Sequence, residues 1–514
     1  MSETTSPASR RSTNLTLFAM CLALVLVVAS VSALNLALPE VAINLHASTT
    51  ALTWIADGYT VALAALVLPL GALGDRWGRR NILIGGTVVF GISSLVASFA
   101  NDSSELIVWR VVMGLGAAMI MPGTLSTITA AFPADQRARG VAVWSGFAAA
   151  GAIIGMLAAG ALLEQWSWRS IFVASAATAV VAGIAALLCA PNTRDIDQGR
   201  PDFAGALLSS VAIGALVYAI IEGNDKGWGE PAVVVTGAIA VLGFAAYAFL
   251  GLRNDEPLLD PRLFGIPGFR SGAITVLVQF MAVFGFFFVG IQYLQLILSY
   301  GPLKAAVALV PVALVVMPTA RVTPWFVDRL GTNVVMSGGL VLLAGGLVWV
   351  ALLNVDSGYL PFLGGIAVAG LGIGLTSSTG TSSIVGSLST GQQGVASAVN
   401  DATREVGSAV GIALMGSVFG RVYADNLPDL SRLPAPARSA IHDSPAAGLH
   451  VATQLGGQQA GALAHAVRVA FIDGLSESIL VVCAVLVVAA IGAAVRAPRR
   501  AKAGQRRSDG ATPA

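Results

Sequence analysis

The sequence predicts an all-α membrane protein of about fourteen transmembrane helices. Of its 514 residues, 56% are hydrophobic and only 11% are Asp, Glu, Lys or Arg, against roughly 25% charged in an ordinary soluble domain. Mean hydropathy is +0.79, and so few charges could not cover the surface of a soluble chain of this size. Apolar runs of about 20 residues, the length that crosses ~30 Å of hydrocarbon, recur along the whole chain. These observations exclude a cytosolic enzyme, a nucleic-acid binder and a disordered chain.

Residues 1–13 are polar, hold Arg10 and Arg11, and read as an N-terminal tail. The first span, 14–36, is too long for a signal-peptide core and ends in NLALPE without a small-residue cleavage site, so it is retained. Spans at 52–73, 82–100, 106–128, 141–163 and 170–190 complete an N-terminal six-helix bundle over 14–190. Two further spans, 203–222 and 232–252, form an inserted pair over 203–252. A second bundle over 271–495 follows, with spans at 271–297, 305–323, 333–354, 359–386, 395–418 and 474–495. The hydrophilic segment 419–473 within it is expected as one long external loop, and 496–514 as a basic tail.

Orientation follows from where Lys and Arg fall. With the N-terminus inside, the inner connections hold most of them, including Arg76, Arg79, Arg80, Arg262, Arg270, Arg321 and Arg329. The outer ones hold few, such as Arg169, Lys226 and Lys304. Both termini are therefore expected in the cytoplasm. Cys21, Cys189 and Cys483 lie in apolar runs with no CxxC, which argues against a disulfide framework or a zinc site. His46, His442, His450 and His465 all fall in outer segments, so no histidine serves as a proton carrier at membrane depth.

The segment GALGDRWGRR (71–80) is the most specific motif. Gly71 lets the helix end tightly. Asp75 places a carboxylate where it could face the positive end of a neighbouring helix. Arg76, Arg79 and Arg80 hold the loop inside against anionic lipid, and for Arg79 and Arg80 a role as topology anchors alone stays open. Gly78 falls between the Asp-Arg and Arg-Arg pairs. The pattern echoes in PWFVDRLG (324–331), after the tenth span and on the same side. Parallel repeats of this kind are typical of secondary transporters.

Ionisable residues at membrane depth cost at least about 2.5–3.5 kcal/mol at a helix centre, so each is a functional candidate. Glu405 lies near the midplane of the thirteenth span, at about 15 Å from its start. Asp401 shares its face, and Arg404 is spaced to pair with Asp401, leaving Glu405 without a local partner. A buried carboxyl of this kind can load and release a proton. A purely structural polar cluster is the alternative. Asp57 and Arg110 lie at similar depth in the second and fourth spans, which permits a salt bridge that proton binding could break. Asp57 is expected to carry a coupling proton or meet a cationic substrate; an interfacial Asp in contact with water is the alternative. Glu222 reads as an outer-rim residue. Trp54, Tyr59, Phe90, Trp109, Trp144, Phe280 and the FGFFF run supply aromatic surface, with no single ring assigned to a substrate.

The chain resembles the major facilitator superfamily, and more narrowly the fourteen-span drug:proton antiporters that include the quaternary-ammonium efflux pumps. LNLALP (34–39), WIADGYTVALAAL (54–66), GALGDRWGRR, LIVWRVVMGLGAA (106–118), EPLLDPRLF (256–264) and VASAVNDATREVGSAVGIALMG (395–416) carry the resemblance. It implies two six-helix bundles with two inserted helices, and proton-driven export of lipophilic, often cationic compounds by alternating access. It implies a monomer in a bacterial inner membrane, with no cofactor and the proton gradient as energy source. Protons, lipophilic small molecules and membrane lipids are the implied partners, and nucleic acid is not among them. Asp75 and its loop arginines would latch the inner gate, and Arg110, in the LxxxRxxxG pattern, would serve proton movement. The antiporter-motif helix would be the fifth span, with Gly151, Gly155 and Gly160.

Three departures narrow the expectation. Ser30 stands where the family carries an acid, five residues before Asn35. GMLAAG (155–160) has Met156 and Ala159 in place of the motif's proline and a glycine. The tenth-span stretch VPVALVVMPTA (310–320) lacks the acid of the divalent-cation pumps, so monovalent or neutral substrates are expected. Export of an endogenous metabolite, lipid or amino acid is the nearest alternative, and a transport-inactive scaffold or sensor the alternative of another class. No nucleophile–base pair or nucleotide loop points to an enzyme.

Overall fold

The computed structural model describes residues 10–132, 137–193, 202–254, 257–388, 393–431, 433–455 and 457–497. The tails expected over 1–13 and 496–514, with the side chains of Arg10 and Arg11, lie almost wholly outside the described residues. Among the described residues there is no strand. The helices run in order as α1 (Arg10–Asn44), α2 (Thr49–Trp77), α3 (Arg79–Ala97), α4 (Ser103–Ala131), α5 (Arg137–Leu163), α6 (Arg169–Cys189), α7 (Phe203–Lys226) and α8 (Pro231–Arg253). They continue as α9 (Pro267–Gln292), α10 (Pro302–Leu330), α11 (Thr332–Ala351), α12 (Tyr359–Gly386), α13 (Gln393–Asp425), α14 (Ala435–Asp443), α15 (Pro445–Leu455) and α16 (Gly457–Arg496). Among the described residues 13 helices are long and apolar enough to cross a membrane. α5 joins them by its 27-residue length, with a described apolar stretch over Gly151–Leu163. The molecule is an all-α, multi-pass membrane protein.

Within one group of helices, α4 packs on α2 and α3, α3 on α6, and α1 on α5 and α6. In a second group, α9 packs on α12 and α13, α11 on α12 and α16, and α10 on α12. The groups meet where α2 lies on α13, α5 on α10 and α1 on α9. α7 pairs with α8 and lies against both α2 and α13. Among the described residues, two hydrogen bonds cross between the groups: Thr49 Oγ1 donates to Asp443 O (2.9 Å) and Gln295 Nε2 to Leu36 O (3.0 Å). Both lie at the end that carries the α1–α2 loop. Gln295 sits on a single π-turn, Tyr293–Ile297, that ends α9.

Helices reach beyond the apolar runs because hydropathy marks only the part that needs hydrocarbon. The segment expected as a loop, 419–473, is helical over most of its length. α13 continues to Asp425, α14 and α15 follow, and α16 starts at Gly457. Tyr423, Ile441, Ala452, Leu463, Val467 and Ala470 give this region its own apolar centre, and Tyr423 Oη donates to Ile441 O at 2.7 Å. α10 runs through Pro311, Pro318 and Pro324, as membrane helices can when neighbours satisfy the freed carbonyls.

Candidate functional site

Asp57 lies on α2 about 12 Å from the helix start, by its position eight residues or so beyond Thr49. Its side chain is 0% exposed, and neither carboxyl oxygen has a hydrogen-bond partner. Arg110 on α4 is at matching depth and 1% exposed. The salt bridge that their depths permit is not formed. Arg110 instead donates from Nε to Ile55 O (3.0 Å) and from Nη2 to Ala56 O (3.3 Å), carbonyls of α2. Each helical carbonyl keeps a second lone pair, so the guanidinium fork can take both. The guanidinium also lies 4.5 Å from the centroid of the Tyr59 ring, and Nη1 has no partner. Gly114, one turn along α4, admits this approach: a side chain there would collide with Tyr59 O.

Tyr59, which the sequence offered only as one aromatic among several, is central to the pair. It is fully buried, donates from Oη to Val27 O at 3.1 Å, and meets Phe90 edge-on at 6.3 Å. It therefore ties α1, α2, α3 and α4 around the Asp57–Arg110 pair. Its place three residues before Ala62 on the Asp57 helix was visible; its ring's use as a platform for Arg110 required the helix crossing.

The α13 cluster is arranged as its spacing implies. Arg404 Nη1 lies 3.9 Å from Asp401 Oδ1, and the guanidinium stands 4.6 Å from the centroid of Phe280 on α9. Arg404 Nε is buried without a partner. Asp401 is buried, whereas Glu405 is half-buried and, among the described residues, makes no hydrogen bond or ion pair. It lies about 18 Å along α13 from Gln393, on a helix that packs against α2. Arg110 thus stands on the Tyr59 ring with Asp57 two residues before Tyr59 on α2, and Glu405 belongs to α13, which packs on α2 from the other group.

The 71–80 motif forms a tight corner. Arg79 Nε lies 2.6 Å from Asp75 Oδ1, and Nη1 donates to Ser126 O (3.3 Å) and Thr193 Oγ1 (3.5 Å). Arg79 is therefore turned inward to α4 and the end of α6, more than a lipid anchor. Arg76 is exposed, and Arg80 is half-buried with its Nε unpartnered. Gly78 ends α2 and begins α3 at φ 106°, and Gly331 ends α10 and begins α11 at φ 88°. That left-handed region favours glycine, which is why the echoed motif repeats the glycine. Gly71 does not end the helix as expected, since α2 runs on to Trp77; it is a close-approach point, where a Cβ would stand 3.1 Å from Pro122 Cβ.

The three glycines of α5 are contact points. A Cβ at Gly151 would stand 3.4 Å from Val25 Cα, at Gly155 2.5 Å from Ala29 Cα, and at Gly160 2.8 Å from Leu303 Cα. The first two seat α5 on α1, and the third seats it on α10. Glu222 is partnered: its Oε1 accepts from Trp54 Nε1 (2.8 Å) and its Oε2 lies 2.9 Å from Lys226 Nζ. Among the described residues no group of three or more His, Cys, Asp or Glu side chains could hold a metal ion.

A model of the Major Facilitator Superfamily matches residues 20–412. The chain is 30% identical over 481 residues to the multidrug efflux pump LfrA of Mycolicibacterium smegmatis, covering 93% of this chain and 95% of the relative. It is 30% identical over 483 residues to the methyl viologen resistance protein SmvA of Salmonella typhimurium, covering 93% and 97%. It is 32% identical over 422 residues to the cephamycin export protein CmcT of Amycolatopsis lactamdurans, covering 81% and 86%. Among solved structures, a bacterial homolog of the human lysosomal transporter Spinster, inward-facing and unoccupied, matches with TM-score 0.70 at 15% identity, covering 96% of this chain and 100% of that one. At that identity the likeness concerns the fold alone.

Proposed function

The chain belongs to the Major Facilitator Superfamily, and from that premise we propose that it is a proton-coupled exporter of lipophilic, monovalent cationic or neutral drugs. It is a membrane transporter of the multidrug-efflux type and not an enzyme. Its two helix groups act as the two domains, 14–190 and 271–495, with 203–252 inserted between them. They rock against each other so that the site near Tyr59 faces one side and then the other. Both termini lie in the cytoplasm of a bacterial inner membrane. The contacts between groups then close the outer end, and Asp75 and Arg79 shape the inner gate.

One observation carries the coupling: a fully buried carboxyl, Asp57, with neither oxygen bonded, beside an arginine with a free Nη1. An uncompensated carboxylate in a dry site costs several kcal/mol, so Asp57 is at home there only with its own proton. When the proton leaves, Arg110 can turn from the Ile55 and Ala56 carbonyls to close the ion pair. That exchange gives the transporter two arrangements, one for each protonation state, which is what alternating access needs. Glu405, from the opposite group, is the second carboxyl that would bind a proton or a cationic drug. Within α10, Asp328 near the end is the one acid among the described residues, which supports monovalent over divalent substrates.

The test is flux into proteoliposomes under an imposed pH gradient. Ethidium, a monovalent cation, is expected to accumulate uphill, and methyl viologen, a dication, is not. No gradient-driven ethidium flux would overturn the coupling, and equal flux of both would overturn the charge preference. The likeness to a cephamycin export protein supports a second reading, export of a metabolite that the host itself makes. Flux of one such compound with none of ethidium would favour it.

A further inference from the structure

Three residues of α9, Phe280, Phe284 and Phe287, share a face by their spacing and are half-buried, while Gln279, Met281, Ala282, Phe286 and Phe288 around them are buried. The Phe280 and Phe284 rings stack at 5.8 Å between centroids with an interplanar angle of 19°, and Phe287 meets Phe284 edge-on at 6.4 Å. Phe280 presents its ring to a cation that belongs to the protein itself, the Arg404 guanidinium at 4.6 Å.

Arg404 is weakly held for a half-buried arginine. Its approach to Asp401 is 3.9 Å, well beyond the ~2.7–2.9 Å of a good charge-assisted hydrogen bond, and its Nε has no partner. Arg79 shows what a settled arginine looks like in this chain, with Nε at 2.6 Å from Asp75 and two further acceptors. Arg404 could move closer to its carboxylate and has settled on a ring.

We propose that the stacked rings of Phe280 and Phe284 form the subsite for a lipophilic organic monocation, and that Arg404 occupies this subsite in the empty transporter as a stand-in for the substrate. An arriving cation displaces the guanidinium from Phe280. Arg404 then closes on Asp401, one turn away on the same helix. One cation–π contact replaces another, and the gain of a closer ion pair favours the exchange. A dication would meet the displaced guanidinium at close range, so the same device discriminates against it. The proposal rests on the reading of the chain as a cation exporter and names the residues that receive the cation.

Binding of tetraphenylphosphonium to the purified full-length protein, measured by calorimetry in nanodiscs, tests it. Removing the competing guanidinium with Arg404→Ala should tighten binding roughly tenfold, the scale of one desolvated cation–π contact. Adding Phe280→Leu to that variant should return affinity to the wild-type value or below. Arg404→Met, which keeps the apolar stem, carries the same expectation if the alanine variant fails to elute as a single species. Unchanged or weaker binding in the arginine variants overturns the proposal. So does a gain that survives Phe280→Leu, which would belong to the freed charge of Asp401. If wild-type protein exports tetraphenylphosphonium and the variants give those results, the subsite fails while the exporter reading stands. If neither wild type nor variants bind it, both fall.

Discussion

Replacing Asp57 by asparagine separates a proton carrier from a structural ion. The structure gives the carboxyl no donor: both oxygens are unpartnered, and Arg110 spends its Nε and Nη2 on the Ile55 and Ala56 carbonyls. Asp57→Asn therefore removes no hydrogen bond and adds one buried N–H2 group without an acceptor, a cost of about 1 kcal/mol. Were Asp57 an ionised partner of Arg110, removing it would strand a buried guanidinium and cost about 3–5 kcal/mol. In a chain of this length the smaller figure moves Tm by no more than about 2 °C. The assay is paired: thermal unfolding in detergent, and ethidium flux in proteoliposomes with and without a pH gradient. We expect near-normal unfolding, exchange of labelled for unlabelled ethidium close to wild type, and at least a tenfold loss of gradient-driven accumulation. A variant that still concentrates ethidium on a pH gradient, or that loses several kcal/mol of stability, refutes the reasoning.

Tyr59→Phe removes the Oη bond to Val27 O but keeps the ring beneath Arg110, so it should cost about 1 kcal/mol and leave export intact. Tyr59→Leu should slow export severalfold in the same flux assay. Gly78→Ala forces a side chain into φ 106° and sets its Cβ 2.5 Å from Asn192 Oδ1; a loss of about 1–3 kcal/mol should appear as a lower unfolding temperature. Trp54→Phe takes the donor from Glu222 Oε1 and should speed amide hydrogen exchange along α7, measured by mass spectrometry, while exchange in α11 stays unchanged.

The spans were legible because each apolar run has one physical reason to exist. Residues 359–386 were read with the boundaries that α12 has. The start of α16 was missed by far more, since 457–473 is polar enough to live in water and helical all the same. The Asp401–Arg404 pairing was readable because both residues sit on one helix, where spacing dictates distance. The Asp57–Arg110 pair sits on two helices, and there depth alone left the choice of acceptor open: carbonyls of α2 and the Tyr59 ring took the arginine. The partners of Glu222 were only half visible for the same reason. Its link to Lys226 is local, but its link to Trp54 spans 168 positions and exists only once α7 lies on α2.

α7 touches one helix from each half, and it is fastened to them unequally. To α2 it is bound by Trp54 Nε1 on Glu222 and by Ser210 Oγ on Ala65 O at 2.8 Å. To α13 the described residues give it one hydrogen bond, Ser417 Oγ on Ile220 O at 3.0 Å. The rest of that face is Val217 and Ile221 against Ala409 and Ala413, short side chains with little to interlock. If the halves shift against each other as proposed above, this unequal fastening predicts that the α7–α8 pair moves with α2 and that slippage of the shear type falls on the alanine track of α13. Bulky residues at 409 or 413 would act there as a brake on the cycle with the polar site itself untouched.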